Sequence, residues 1–146
     1  MAQSPELPST LTKSPSFQIE RVRRHTKELV EKALNKHGTS MREYWVLSCV
    51  LERPLSQREL SELLLIDASD MVRLIDCLEQ QEWVKRDRDP KDRRRQIVTA
   101  TKKGTKAHSA LLKDVAAAEE RALEVSSAKQ LKSLKKLSKA VLEEES

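Results

Sequence analysis

The stretch Trp83-Val84-Lys85-Arg86-Asp87-Arg88-Asp89-Pro90-Lys91-Asp92-Arg93-Arg94-Arg95-Gln96-Ile97-Val98-Thr99 decides the fold of this chain. Two runs within it, Trp83–Asp87 and Arg95–Thr99, have the residue types of strands, and Asp89-Pro90-Lys91-Asp92 between them are turn formers. The stretch is therefore predicted to be a β-hairpin. From Lys85 to Lys106, a window that starts inside this stretch and runs seven residues past it, the chain carries ten basic and three acidic residues, a balance of +7 in a chain whose total is +5. Charge focused on one spot suits a polyphosphate partner, because each cation set near a phosphate releases condensed counterions. A charge run by itself is more often a solvated face, so the meaning of this one depends on what precedes it.

Immediately upstream, Ser56-Gln57-Arg58-Glu59 has the pattern of a capping box and opens a short helix bearing Leu60, Leu63 and Leu64. Asp67 caps a second helix, about Ala68 to Gln80, with Met71, Leu74, Ile75 and Leu78 on its buried side. A helix-turn-helix over about 56–80 followed by a basic wing over about 83–100 is a winged helix.

Further out, Ile19, Val22, Leu29, Val30, Ala33 and Leu34 recur at helical spacing, and Gly38 stands at the stop position. Ser40-Met41-Arg42-Glu43 is a second capping-box pattern, and Pro54 ends the helix it opens. Downstream, Thr101 caps a helix with Leu111, Val115 and Ala118, and a last helix carries Leu131, Leu134, Leu137 and Val141 beside a lysine-rich side. Glu143 to Glu145 oppose the helix dipole, so the last turn is expected to fray. The fold expected is mainly α: a winged helix-turn-helix with a small β-hairpin wing, flanked by long helices over about 17–37 and 102–144. Residues 1–16, with Pro5, Pro8, Pro15 and four serines, read as a flexible segment before a domain spanning 17–146.

Composition narrows the class. One domain is expected from 146 residues, and aromatics are so few that the core must be Leu, Val, Ile and Ala. No secretory h-region is visible in Met1 to Thr10 and the longest apolar run is Leu63-Leu64-Leu65-Ile66, so a cytoplasmic protein with no membrane partner is expected. Two cysteines and three scattered histidines have no metal-ligand spacing. There is no glycine-rich phosphate loop, HExxH or Ser/His/Asp set, so neither an enzyme nor a cofactor is expected.

A helix fits the DNA major groove and reads with the exposed residues near its start. On Ala68–Gln80 these are Ser69, Asp70, Val72 and Arg73, with Arg73 the best reader because guanidinium pairs bidentately with guanine. Asp70 either accepts from cytosine, holds a neighbouring arginine, or simply stabilises the helix start. Ser56 and Gln57, at a helix start, offer N–H groups to a phosphate. Arg88, Lys91, Arg93, Arg94 and Arg95 suit the minor groove or flanking backbone. Asp92 and Arg94, two apart, share a face if they lie on a strand and so brace the wing.

With these residues in view, the chain resembles the MarR (multiple antibiotic resistance) family of dimeric winged-helix regulators. The resemblance covers about residues 17–146. It rests on Gln57-Arg58-Glu59-Leu60-Ser61-Glu62-Leu63, Ile66-Asp67-Ala68-Ser69, Arg73 to Glu79, Val84 to Arg94, and Thr101-Lys102-Lys103-Gly104. Val72 stands where the family often has threonine, Cys77 where arginine is common, Glu82 where glycine is common, and Ala100 in place of a usual leucine. The resemblance implies a homodimer held by the first and last two helices, bound to a pseudo-palindromic operator and acting as a repressor. It also implies a small phenolic or lipophilic effector, for which His25, Met41, Tyr44 and Trp45 are the candidate pocket residues. Some relatives sense oxidants through cysteine. Here Cys49 lies among apolar residues, whereas Cys77 lies beside basic residues expected to lower its pKa. The alternatives to operator binding are a winged helix used as a protein-interaction module, sequence-tolerant nucleoid binding, and a redox-sensing regulator acting through Cys77 or Cys49.

Overall fold

The computed structural model describes residues 4–146. The elements in chain order are α1 (Ser9–Thr12), α2 (Pro15–Asn35), α3 (Met41–Glu52), β1 (Leu55–Ser56), α4 (Gln57–Leu64), α5 (Ala68–Gln80), β2 (Val84–Arg88), β3 (Gln96–Ala100), α6 (Lys102–Ala122) and α7 (Ala128–Glu145). The molecule is mainly helical with one three-stranded antiparallel sheet of order β1-β3-β2, as the winged-helix expectation requires. None of the helices among the described residues is long and apolar enough to cross a membrane.

The chain divides into two compact units. Val30–Ala117 is one; the segment ending at Leu29 and Ala118–Ser146 make the other. The central unit owns the core: Leu34, Val46, Leu47, Leu60, Met71, Ile75, Leu78, Val98 and Leu111 are sealed from solvent. Burying such a side chain contributes about 1.5–3 kcal/mol, so this cluster carries the unit's stability. Among the described residues, the terminal unit buries only Ala118 and Ala122 of its apolar residues, and exposes Leu7, Leu11, Ile19, Val22, Val125, Leu131, Leu134, Leu137, Val141 and Leu142.

Local chemistry sets the boundaries. Ser56 Oγ accepts from Glu59 N while the Glu59 carboxylate accepts from Ser56 N, a complete capping box. At α3 the box is altered: Ser40 Oγ accepts from Glu43 N, but the Glu43 carboxylate takes the serine hydroxyl proton (2.7 Å), and Met41 N donates to Glu31 instead. Asp67 Oδ1 caps α5 by accepting from Asp70 N. The turn into α5 runs through Leu65 in the left-handed region (φ 53°).

Four expectations are corrected. Within 1–16, residues 1–3 lie outside the described residues, but Ser9–Thr12 forms one helical turn and α2 starts at Pro15, where a fixed φ and a missing N–H suit the first helical position. The strands sit one residue later than the sequence pattern placed them, and β1 joins them, pairing Leu55 with Val98 and Ser56 with Ile97. Asp92 and Arg94 lie in the turn between the strands rather than on one. The last helix continues to Glu145 despite its acidic end.

Candidate nucleic-acid interface

The outer face of α5 begins with Ser69, Asp70, Val72 and Arg73. Met71, Ile75 and Leu78 anchor the opposite face in the core, which leaves Arg73 with a 74% exposed side chain. Ser69 Oγ donates to Asp67 Oδ1 (2.7 Å), so it continues the cap. Asp70 is held between two arginines: Arg73 of α5 pairs with Oδ1, and Arg42 of α3 approaches Oδ2 at 3.7 Å. Arg42 was missing from the sequence-based set; no local pattern connects it to Asp70, because the contact is tertiary.

The wing tip is a tight turn. Asp92 Oδ1 accepts from both N (3.1 Å) and Nε (3.2 Å) of Arg94, and Asp89 Oδ1 accepts from Lys91 N. Arg94 remains 92% exposed. Arg88, Lys91 and Arg93 are exposed and have no ion pair among the described residues. Arg95 differs from them: it bonds Glu59 (3.0 Å) and approaches Asp89 (3.8 Å), tying the wing to the start of α4. The bonds from Ser56 and the charge of Arg95 hold the Glu59 carboxyl below its usual range.

Ser56 is 2% exposed. Its hydroxyl and N–H both belong to the capping box, so the phosphate-holding role expected for it is corrected: it shapes the helix start from inside. Gln57 is half-buried, and its Oε1 accepts from Arg86 Nη1 (2.8 Å). Arg86, only 18% exposed, also bonds Glu79 (2.7 Å) and Asp76 on α5. Partial burial works against its charge, but bonding to Asp76 and Glu79 outweighs this and raises its pKa. Strand alternation carried the signal: Val84 and Arg86 share a face, and Val84 is buried. Between α4, the start of α5 and the wing lies a groove of about 840 Å³, lined in part by Gln57, Arg58, Ala68, Val72, Arg94 and Arg95.

Two motifs explain the root of the wing. Thr101 Oγ1 accepts from Gly104 N (2.9 Å) and donates to the Glu82 carbonyl (2.6 Å), capping α6 while fastening the wing's entry. A Cβ on Gly104 would stand 2.0 Å from the Trp83 carbonyl oxygen, so only glycine lets α6 pass. Glu82 adopts φ 64°, the left-handed region where glycine is easier. Its carboxylate pairs with Lys103 (3.1 Å).

The remaining candidates belong to different units. His25 belongs to the terminal unit, where Nε2 contacts the Ala122 carbonyl (3.0 Å). Met41, Tyr44 and Trp45 belong to the central unit; Tyr44 stacks on His108 (centroids 5.1 Å apart, planes 5°). Ser48 gives its proton to the Tyr44 carbonyl, so His108 Nε2–H donates to Ser48 Oγ (2.8 Å). Burial lowers the His108 pKa and so favours its neutral form. The low-pKa expectation for Cys77 is corrected: burial, then Glu43 and Asp76, push it up, because the side chains near it are acidic. Burial likewise raises Cys49. Both shifts oppose the thiolate that oxidant sensing needs.

Residues 37–95 match the MarR family. A transcriptional regulator (MarR family) from Rhodococcus sp. RHA1 is 27% identical, with a TM-score of 0.85 over 92% of this chain and 96% of that one. CouR from Rhodococcus jostii RHA1, bound to p-coumaroyl-CoA, is 28% identical, with a TM-score of 0.79 over 92% and 95%. A mutant MarR from E. coli complexed with operator DNA shares the fold at 22% identity, with a TM-score of 0.79 over 93% and 99%. No curated protein matches the chain.

Proposed function

We propose, from a chain that carries the winged-helix segment of the MarR family of transcriptional regulators, that the protein is a homodimeric repressor bound to a pseudo-palindromic operator. The observation that carries DNA binding is one groove shared by α4, the exposed start of α5 and the wing, with Arg73 exposed on the helix that supplies the lining residues Ala68 and Val72, and Arg88, Lys91 and Arg93 without ion pairs among the described residues. Arg73 reads a base edge, and the wing cations hold phosphates or enter the minor groove.

The dimer reading is supported by the terminal unit, whose ten exposed large apolar side chains far outnumber its buried ones. On α7, Leu131, Leu134, Leu137 and Val141 recur at helical spacing, and an apolar stripe left open in this way suits association with another chain. Two-fold symmetry then sets half-sites about 10–10.5 base pairs apart. Release by a small effector is supported by the CouR complex with a phenolic acyl thioester, and Met41, Tyr44 and Trp45 are the residues to substitute first.

Selection of bound duplexes from a random pool at fixed salt tests the reading. Arg73→Ala and Arg94→Ala are each expected to lower affinity for the selected duplex about tenfold, or about 1.4 kcal/mol. Arg73→Ala also relaxes preference at one base pair. Arg94→Ala reduces the slope of log affinity against log salt by about 0.9 per phosphate contact removed. Unchanged binding by both variants points instead to a protein-interaction module.

A further inference from the structure

We infer that Gln57 meets DNA through its side chain as a donor alone, and that Arg86 is the positioning residue that makes it so. An isolated glutamine amide presents an acceptor and two donors and can turn over to suit either partner. Arginine has donors and no acceptor, so the atom facing Arg86 Nη1 at 2.8 Å must be the Gln57 oxygen. Arg86 cannot swing away, because Asp76 and Glu79 of α5 hold its other nitrogen and its side chain is only 18% exposed. The Gln57 NH2 has no hydrogen-bond partner among the described residues, and Gln57 lines the groove.

The surroundings give that amide its weight. Each arginine lining the groove faces a carboxylate: Arg58 faces Glu62, Arg94 faces Asp92, and Arg95 faces Glu59. The groove's charges are thus internally matched, and Gln57 adds an uncharged donor whose direction is fixed. A glutamine with both functions free reads adenine by pairing with N6 and N7. With its oxygen committed to Arg86, Gln57 matches only acceptors: N7 of either purine, guanine O6, thymine O4, or a phosphate oxygen, and it loses the second bond, to N6, that singles out adenine.

The inference rests on the operator-binding reading, and the test separates the two. Wild type, Gln57→Glu, Gln57→Met, Arg86→Met and Arg73→Ala are measured against the duplex selected by wild type and against random duplex, with thermal unfolding alongside. Gln57→Glu keeps an acceptor for Arg86 but loses the donors; Gln57→Met loses the donors without adding charge. Both are expected to bind the selected duplex at least tenfold more weakly, and Gln57→Glu unfolds no earlier than wild type. Loss confined to the selected duplex assigns a base-edge acceptor, and equal loss on random duplex assigns phosphate. Arg86→Met frees the amide to pair with both N6 and N7, so reselection with it is expected to shift preference toward adenine at the contacted position, a change that lower stability alone does not produce. If Gln57→Met binds like wild type while Arg73→Ala is impaired, the donor role is wrong and operator binding stands. If Arg73→Ala also binds like wild type, both fall.

Discussion

At the root of the wing Arg86 is 18% exposed and holds three acceptors, whereas eight residues later, at the tip, Arg94 is 92% exposed and holds one. Both belong to the same basic run, and a charge count treats them alike. The fold does not. At the root, Trp83, Arg86, Thr101 and Gly104 are committed to one another and to neighbouring helices, so a cation there acts as a fastener. Toward the tip, Arg88 at the end of β2 and Lys91 and Arg93 in the turn are exposed and have no ion pair among the described residues. The difference teaches that the number of cations near a site overstates the number free to meet a ligand.

The sharpest way to break this contrast is at the root. Gly104→Ala places a methyl group inside the Trp83 backbone, and a stability loss of about 3 kcal/mol is expected in urea denaturation. The same substitution at an exposed residue of the tip, Arg93→Ala, is expected to stay within about 0.5 kcal/mol. Arg86→Met comes next: it strands Asp76 and Glu79 without their shared cation, for an expected loss of about 2 kcal/mol. Equal stability of Arg86→Met and wild type would erase the distinction between root and tip.

A smaller change sharpens it in the opposite direction. Glu82→Gly relieves a left-handed backbone worth about 1–2 kcal/mol, offset by glycine's greater unfolded-state freedom, so a gain of about 0.5 kcal/mol is expected. The smallest effect concerns a cation the fold suppresses. Burial lowers the folded pKa of His108 below its ordinary 6.5. The unfolded chain therefore takes up a proton first as the solution is acidified. The contribution is fully present above about pH 6.5 and lost as pH falls from there towards the depressed value. His108→Gln should flatten that part of the stability curve measured between pH 7.5 and 5.5; an unaltered slope would show that His108 does not supply it.

Much of the architecture was legible in the sequence because its signals are local. The Ser56-x-x-Glu59 box, the Asp67 cap and the spacing of Met71, Ile75 and Leu78 are properties of a few consecutive residues, and each marks an element where the structure has one. Gly38, expected at a helix stop, has φ 72°. What escaped was tertiary. Two residues, Leu55 and Ser56, are too short a run to read as a strand until β3 is beside them. Arg42 reaches Asp70 across helices, and the acidic surroundings of Cys77 come from Glu43 as well as its neighbour Asp76. At the candidate interface the sequence named Ser56, Gln57, Arg94 and Arg95, which the structure gathers around one groove, but it could not divide the cations into free and committed ones, nor see that Ser56 would be buried.

That buried serine has a mechanical consequence. Ser56 is at once a sheet residue paired with Ile97 and the residue whose hydroxyl starts α4. A load on the hairpin therefore cannot be absorbed by a soft joint at this point; it arrives directly at the first turn of the neighbouring helix. The hairpin and the helical pair should tilt as one stiff plate, and hydrogen exchange at Ser56, Glu59 and Val98 should rise and fall together.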